Sequence, residues 1–145
     1  MISVIAVEAE EILHNAVEIV VGALATTPTE SRGCVLTTTK IINACCVEQA
    51  LLTSSSHMVL SRIDIIALDS SNDLLNGLER LRKRNPQLVV VAGLSTLFES
   101  SGEHSYQLEL CFAILSRLEI RVHAVDSATD EGWESFTRYL SMIQQ

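Results

Sequence analysis

Phosphate chemistry in a strand-and-helix protein needs a loop of the form Gly-x-x-x-x-Gly-Lys-Ser/Thr, whose backbone N–H groups cradle the anion. In this chain neither Lys40 nor Lys83 follows a glycine. Where such a loop belongs, between the apolar run 2–7 and a helical pattern over 12–24, the sequence has Glu8-Ala9-Glu10-Glu11. A helix N-terminus attracts anions through its free N–H groups and its dipole, so three carboxylates there satisfy it from within and repel a triphosphate. A guanine-gripping Asn-Lys-x-Asp belongs after the apolar run 88–91, but the residues are Ala92-Gly93-Leu94-Ser95, with no carboxylate for a base edge. A magnesium-side Asp-x-x-Gly is missing after the run 63–68, and only Ser127-Ala128 echoes a base-side Ser-Ala-Lys loop. The nucleotide positions thus read as degenerate. The expectation is no cofactor, no metal and no catalytic residue.

Other chemistry is thinner still. His14, His57, His104 and His123 fall in different elements, and no pair has the i, i+4 spacing of a helical metal site. Ser95 ends a central strand, yet Gly-Leu-Ser-Thr-Leu lacks the second glycine of a nucleophile elbow and reads as a turn serine. Asp69 reads as a helix cap, and Asp64 as an edge residue or the partner of a base such as Arg62. Cys34, Cys45, Cys46 and Cys111 include no Cys-x-x-Cys and read as reduced, mostly buried thiols. Arg80, Arg82, Lys83 and Arg84 form the one basic cluster. Without neighbouring aromatics or further lysines they point to a solvated helix end or an acidic protein partner, not to nucleic acid. On a terminal helix Trp133 and Phe136 read as core, and Tyr139 as a surface anchor for a partner.

These groups need a scaffold, and the chain has one. Its 145 residues are 48% apolar with eight Gly and Pro together, which predicts a single domain over 1–145 and excludes a low-complexity chain. No apolar run approaches the ~20 residues of a membrane span, and residues 1–7 lack the basic start of a signal peptide. A net charge of −8 opposes nucleic acid and anionic lipid. The cytosol or nucleus is the expected location.

Apolar runs over 2–7, 63–68, 88–92 and 120–125 predict buried strands, and 34–39 with 42–47 a hairpin or one long bent strand. Helices are expected over 12–24, with Ile12, Ala16, Ile19, Val20 and Ala23 inward, and over 73–84, which stops at Asn85-Pro86. Two more follow, over about 104–118 and after Asp126-Ser127-Ala128-Thr129. Residues 51–60 predict a loop with a short helix. Strands alternating with helices predict a three-layer αβα fold with a mostly parallel sheet. That element order is the order of a Ras-like G domain, and recombinase-like cores share much of it.

With the site degenerate and the order intact, the chain resembles the centromere protein M family of small GTPase-like kinetochore proteins that have lost nucleotide binding. The likeness rests on Val7-Glu8-Ala9-Glu10, Ser61-Arg62-Ile63-Asp64-Ile65-Ile66, Leu75-Asn76, Glu79-Arg80-Leu81-Arg82, Val90-Val91-Ala92-Gly93 and Glu131-Gly132-Trp133, in order and near-constant spacing. The resemblance implies a non-enzymatic structural subunit of the inner kinetochore in the nucleus. It also implies a hetero-oligomer, in which the subunit stabilises CENP-I and assembles with CENP-H and CENP-K. The likeness is poor at residues 34–50 and does not extend to the family's C-terminal tail. Two alternatives stay open: an adaptin-binding pseudo-GTPase assembly chaperone, which would be cytoplasmic, and an inactive recombinase-like paralogue.

Overall fold

The computed structural model describes residues 3–26, 31–44, 61–69, 73–94, 113, 121–127 and 137. Five parallel strands form one sheet: β1 (Ser3–Ala6), β2 (Gly33–Thr38), β3 (Ile63–Leu68), β4 (Leu88–Ala92) and β5 (Arg121–Asp126), in the spatial order β1-β5-β4-β2-β3. Helices α1 (Ile12–Leu24), α2 (Thr39–Ala44) and α3 (Leu74–Arg84) accompany it. The α/β architecture with an all-parallel sheet agrees with the alternation of apolar runs and helical patterns. The expected helices over 104–118 and at the C-terminus, the loop at 51–60, Cys45, Cys46 and Cys111 lie outside the described residues, apart from Ala113 and Thr137.

β4 holds the middle of the sheet, and every one of its residues is buried. A strand with parallel neighbours on both sides and cover on both faces favours apolar side chains, and Leu88–Ala92 reads as one unbroken apolar run. β1 has a similar composition and a different fate. Among the described residues it lies at an edge, paired with β5 alone, and Val4 and Ile5 are exposed where the apolar run predicted burial. A short strand with one neighbour has half its surroundings missing, and composition carries no information about position in the sheet.

α1 crosses one face. Its buried stripe is Ile12, Leu13, Ala16, Val17, Val20, Val21 and Leu24, while Ile19 and Ala23 are only partly covered. The buried face is therefore rotated toward Leu13, Val17 and Leu24 relative to the expected one. Both stripes are apolar, so only contact with Val35, Leu88, Val90, Ala92 and Val125 beneath the helix selects between them. α3 covers the opposite face near β3, burying Leu78 and Leu81. Gly77 permits the close approach, since a Cβ there would come within 2.6 Å of Leu68 Cδ2. α3 ends as the sequence predicts. Asn85 adopts the left-handed conformation (φ 50°), its N–H bonds Arg82 O at 3.1 Å, and buried Pro86 follows.

The hairpin or single long bent strand expected from residues 34–47 is corrected over the described part, residues 34–44. β2 ends at Thr38 and the chain turns at once into α2. Thr38 Oγ1 accepts the Ile41 N–H at 3.2 Å, an N-cap that reverses the β tendency of the following isoleucines, and Ile41 is then buried in the α1-side core. Among the described residues no helix is long and apolar enough to cross a membrane.

Candidate functional site

Ligands of open parallel sheets collect outside the carboxyl ends of the strands, where neighbouring strands send their connections in opposite directions. In the order β1-β5-β4-β2-β3 that point lies between β2, which leads to β3, and β4, which leads to β5. The strand-end residues there are Thr37 and Thr38 at the end of β2, Thr39 and Lys40 just after it, and Gly93 and Leu94 after β4. Sequence reasoning looked for an anion loop after β1, at a sheet edge, and missed the threonine run. Its signal in the sequence is only that three threonines and a lysine follow an apolar strand.

Among the described residues, the side chains at the crevice pack on one another. Thr37 Oγ1 donates to Ala92 O at 2.8 Å, bridging the two strand ends, and both groups are buried. Thr38 caps α2. Gly93 has φ 70°, a conformation that excludes most side chains, and the Ile41 side chain packs against it. Its N–H donates to Val125 O at 2.9 Å, and Leu94 is wholly buried beside it. Of the expected base-side quartet Ala92, Gly93, Leu94 and Ser95, the first three are therefore buried in packing, while Ser95 lies outside the described residues.

The acidic turn sits elsewhere. Glu8, Ala9, Glu10 and Glu11 are all exposed, at the β1 edge, and residues 9–11 form a 3-10 turn leading into α1. The Glu11 N–H donates to Glu8 O at 2.9 Å, and neither Glu8 nor Glu11 makes a side-chain capping bond. The expectation that these carboxylates satisfy the helix end from within is thus corrected for Glu8 and Glu11, and only their negative charge near it remains. Beside this turn, β5 ends in buried Asp126, whose Oδ1 accepts the Ser127 N–H at 2.9 Å and whose backbone O accepts the Val7 N–H.

Asp64 pairs with Arg32, not with Arg62. Arg32 Nε and Nη2 reach Asp64 Oδ2 and Oδ1 at 3.0 and 2.9 Å, a bidentate contact, whereas Arg62 Nε donates to Ser31 O at 2.7 Å. The pair holds the Arg32 guanidinium even more firmly charged than usual. Asp69 is exposed, and the capping relation runs the other way, its N–H donating to Asp73 Oδ2 at 3.1 Å. Cys34, in register with Asp64, is a buried free thiol; desolvation first, then the Asp64 charge, push it up to about 12. Arg80, Arg82, Lys83 and Arg84 all lie exposed on the second half of α3. Tyr139, Trp133 and Phe136 lie outside the described residues, as do His57 and His104; His14 and His123 fall on α1 and β5.

Among the described residues no three of His, Cys, Asp and Glu converge as a metal-ligand set. No protein-family model matches the chain, and no curated protein matches its sequence.

Proposed function

We propose that this chain is a non-enzymatic α/β scaffold that works by holding a protein partner. One observation carries the reading: the crevice between β2 and β4 is closed by Ile41 against Gly93 and by the Thr37 bond to Ala92, so the place where such folds seat a ligand is packed. The exposed carboxylates at the head of α1 lie outside that crevice, at the β1 edge, and add negative charge that opposes a phosphate ligand. Resemblance to the centromere protein M family makes the inner kinetochore the assembly, with CENP-I as the partner stabilised and CENP-H and CENP-K beside it. The Ras-like G-domain arrangement, with its nucleotide site lost, belongs to this reading.

Titration calorimetry with GTP, GDP and ATP is expected to give no heat of binding, and micromolar affinity for any of them would remove the proposal. Affinity purification of the full chain separates the assemblies. Centromeric subunits are expected, and recovery of adaptor-complex subunits would replace the kinetochore with the adaptin-chaperone alternative.

A recombinase-like subunit is the second reading, favoured by the place of β1. The opening strand of a Ras-like domain lies inside its sheet, whereas β1 lies at an edge with Val4 and Ile5 exposed. DNA binding by the chain or by its heterodimer would favour this reading.

A further inference from the structure

We propose that the cavity between β3 and the second half of α3 binds an acidic peptide segment of the protein partner, its carboxylates held by Arg80, Lys83 and Arg84. The inference deepens the scaffold reading and rests on it. The cavity measures about 240 Å³ and is lined by Asp64, Ile65, Ile66, Arg80, Lys83 and Arg84. The three cations stand at i, i+3 and i+4, which places them on one helix face. Among the described residues none of the three stands in an ion pair, Asp64 being paired with Arg32.

Asp64 would oppose an anion, but both of its oxygens are engaged by Arg32. Arg32, Arg80, Lys83 and Arg84 against Asp64 leave a local surplus of three positive charges on a chain whose total is −8. The helix dipole explains basic residues in a last turn. It does not explain why Arg80, Lys83 and Arg84 line a cavity while Arg82 does not. Ile65 and Ile66 add an apolar wall for the stem of a glutamate or its neighbour.

The surrounding negative field favours a short acidic segment over nucleic acid, because an extended polyanion would run beyond the basic pocket into repulsion. Among the described residues no aromatic lines the cavity to stack a base.

Fluorescence anisotropy of a labelled hexaglutamate peptide with the full chain tests this, with hexalysine and oligothymidylate as comparison probes. Hexaglutamate is expected to bind, and to bind less as salt rises. Arg80→Glu and Lys83→Glu are each expected to weaken it about tenfold, with the milder Arg80→Gln and Lys83→Gln also weaker. Arg82→Glu is expected to change it little, and Asp64→Asn to strengthen it. Equal loss from Arg82→Glu and Arg80→Glu, or tighter binding of oligothymidylate than of hexaglutamate, would overturn the proposal. The scaffold reading is separated by its own partner. If Arg80→Glu/Lys83→Glu retains the partner that the unaltered chain captures, the cavity assignment falls and the scaffold reading stands; nucleotide turnover by the purified chain would remove the scaffold reading itself.

Discussion

The two faces of the sheet are built from different materials. On the α1 side, seven buried helix residues meet Val35, Leu88, Val90, Ala92 and Val125 in a continuous apolar layer. On the α3 side, Leu78 and Leu81 are buried along with Leu36, Ile66 and Leu68, and the layer gives way to the Arg32–Asp64 pair and the basic rim of a cavity. Each fully buried aliphatic side chain contributes about 1.5–3 kcal/mol relative to exposure, so the α1 side carries more of the stability among the described elements. The lesson is a division of labour. Among the described residues, the face with the continuous apolar layer carries more of the packing, and the other brings charged groups to its rim.

Leu13→Ala should break this contrast most visibly. It opens a cavity beneath α1, where the side chain is wholly buried, and should cost about 2–5 kcal/mol in urea unfolding. Leu81→Ala, also wholly buried, should cost less, because the polar cavity beside α3 lets surroundings and solvent relax into the gap. Equal or reversed losses would end the claim that the faces differ.

Gly93→Ala addresses the closed crevice on the α1 side. The positive φ and the Ile41 side chain both resist a Cβ, and a loss of about 1–3 kcal/mol is expected in thermal or urea melts. A neutral result would show that the crevice is looser than its contacts imply. It would also weaken the argument that nothing else can enter.

Cys34 sharpens the α3 side. The folded thiol is raised from an ordinary 9.0 to about 12, so below about pH 9 both folded and unfolded chains keep the proton and its contribution is complete. As pH climbs from 9 toward 12 the unfolded chain releases a proton that the native one retains. Stability should then fall by roughly 1.4 kcal/mol per pH unit, a slope that Cys34→Ala should lack. Iodoacetamide at pH about 8 should leave Cys34 unmodified in the native protein and label it after unfolding. Rapid native labelling would mean that the thiol is not sealed.

Arg32→Ala should have the smallest effect on stability, about 1 kcal/mol or less in denaturant melts, because the pair is partly solvated. A loss beyond ~3 kcal/mol would mean that Asp64 had been left as an uncompensated buried charge, and would move the ion pair from the rim into the core.

The strand and helix identities of residues 63–68, 88–92 and 121–126, and of 12–24 and 74–84, follow from periodicity, caps and breakers close by in the chain. The end of α3 at Asn85-Pro86 is equally local. These features depend on neighbours within a few residues, which a sequence states directly. Position in the sheet does not. That β1 is an edge and β4 the centre, that Leu13 and not Ile19 faces inward, and that Arg32 rather than Arg62 reaches Asp64 all depend on which distant segments meet. The threonines after β2 became a crevice only when β4 was laid beside them, and the arginines of α3 became a pocket only against β3. Local order is settled by backbone geometry and side-chain entropy near each residue, whereas a site is the convergence of residues far apart in the chain, and packing alone brings them together.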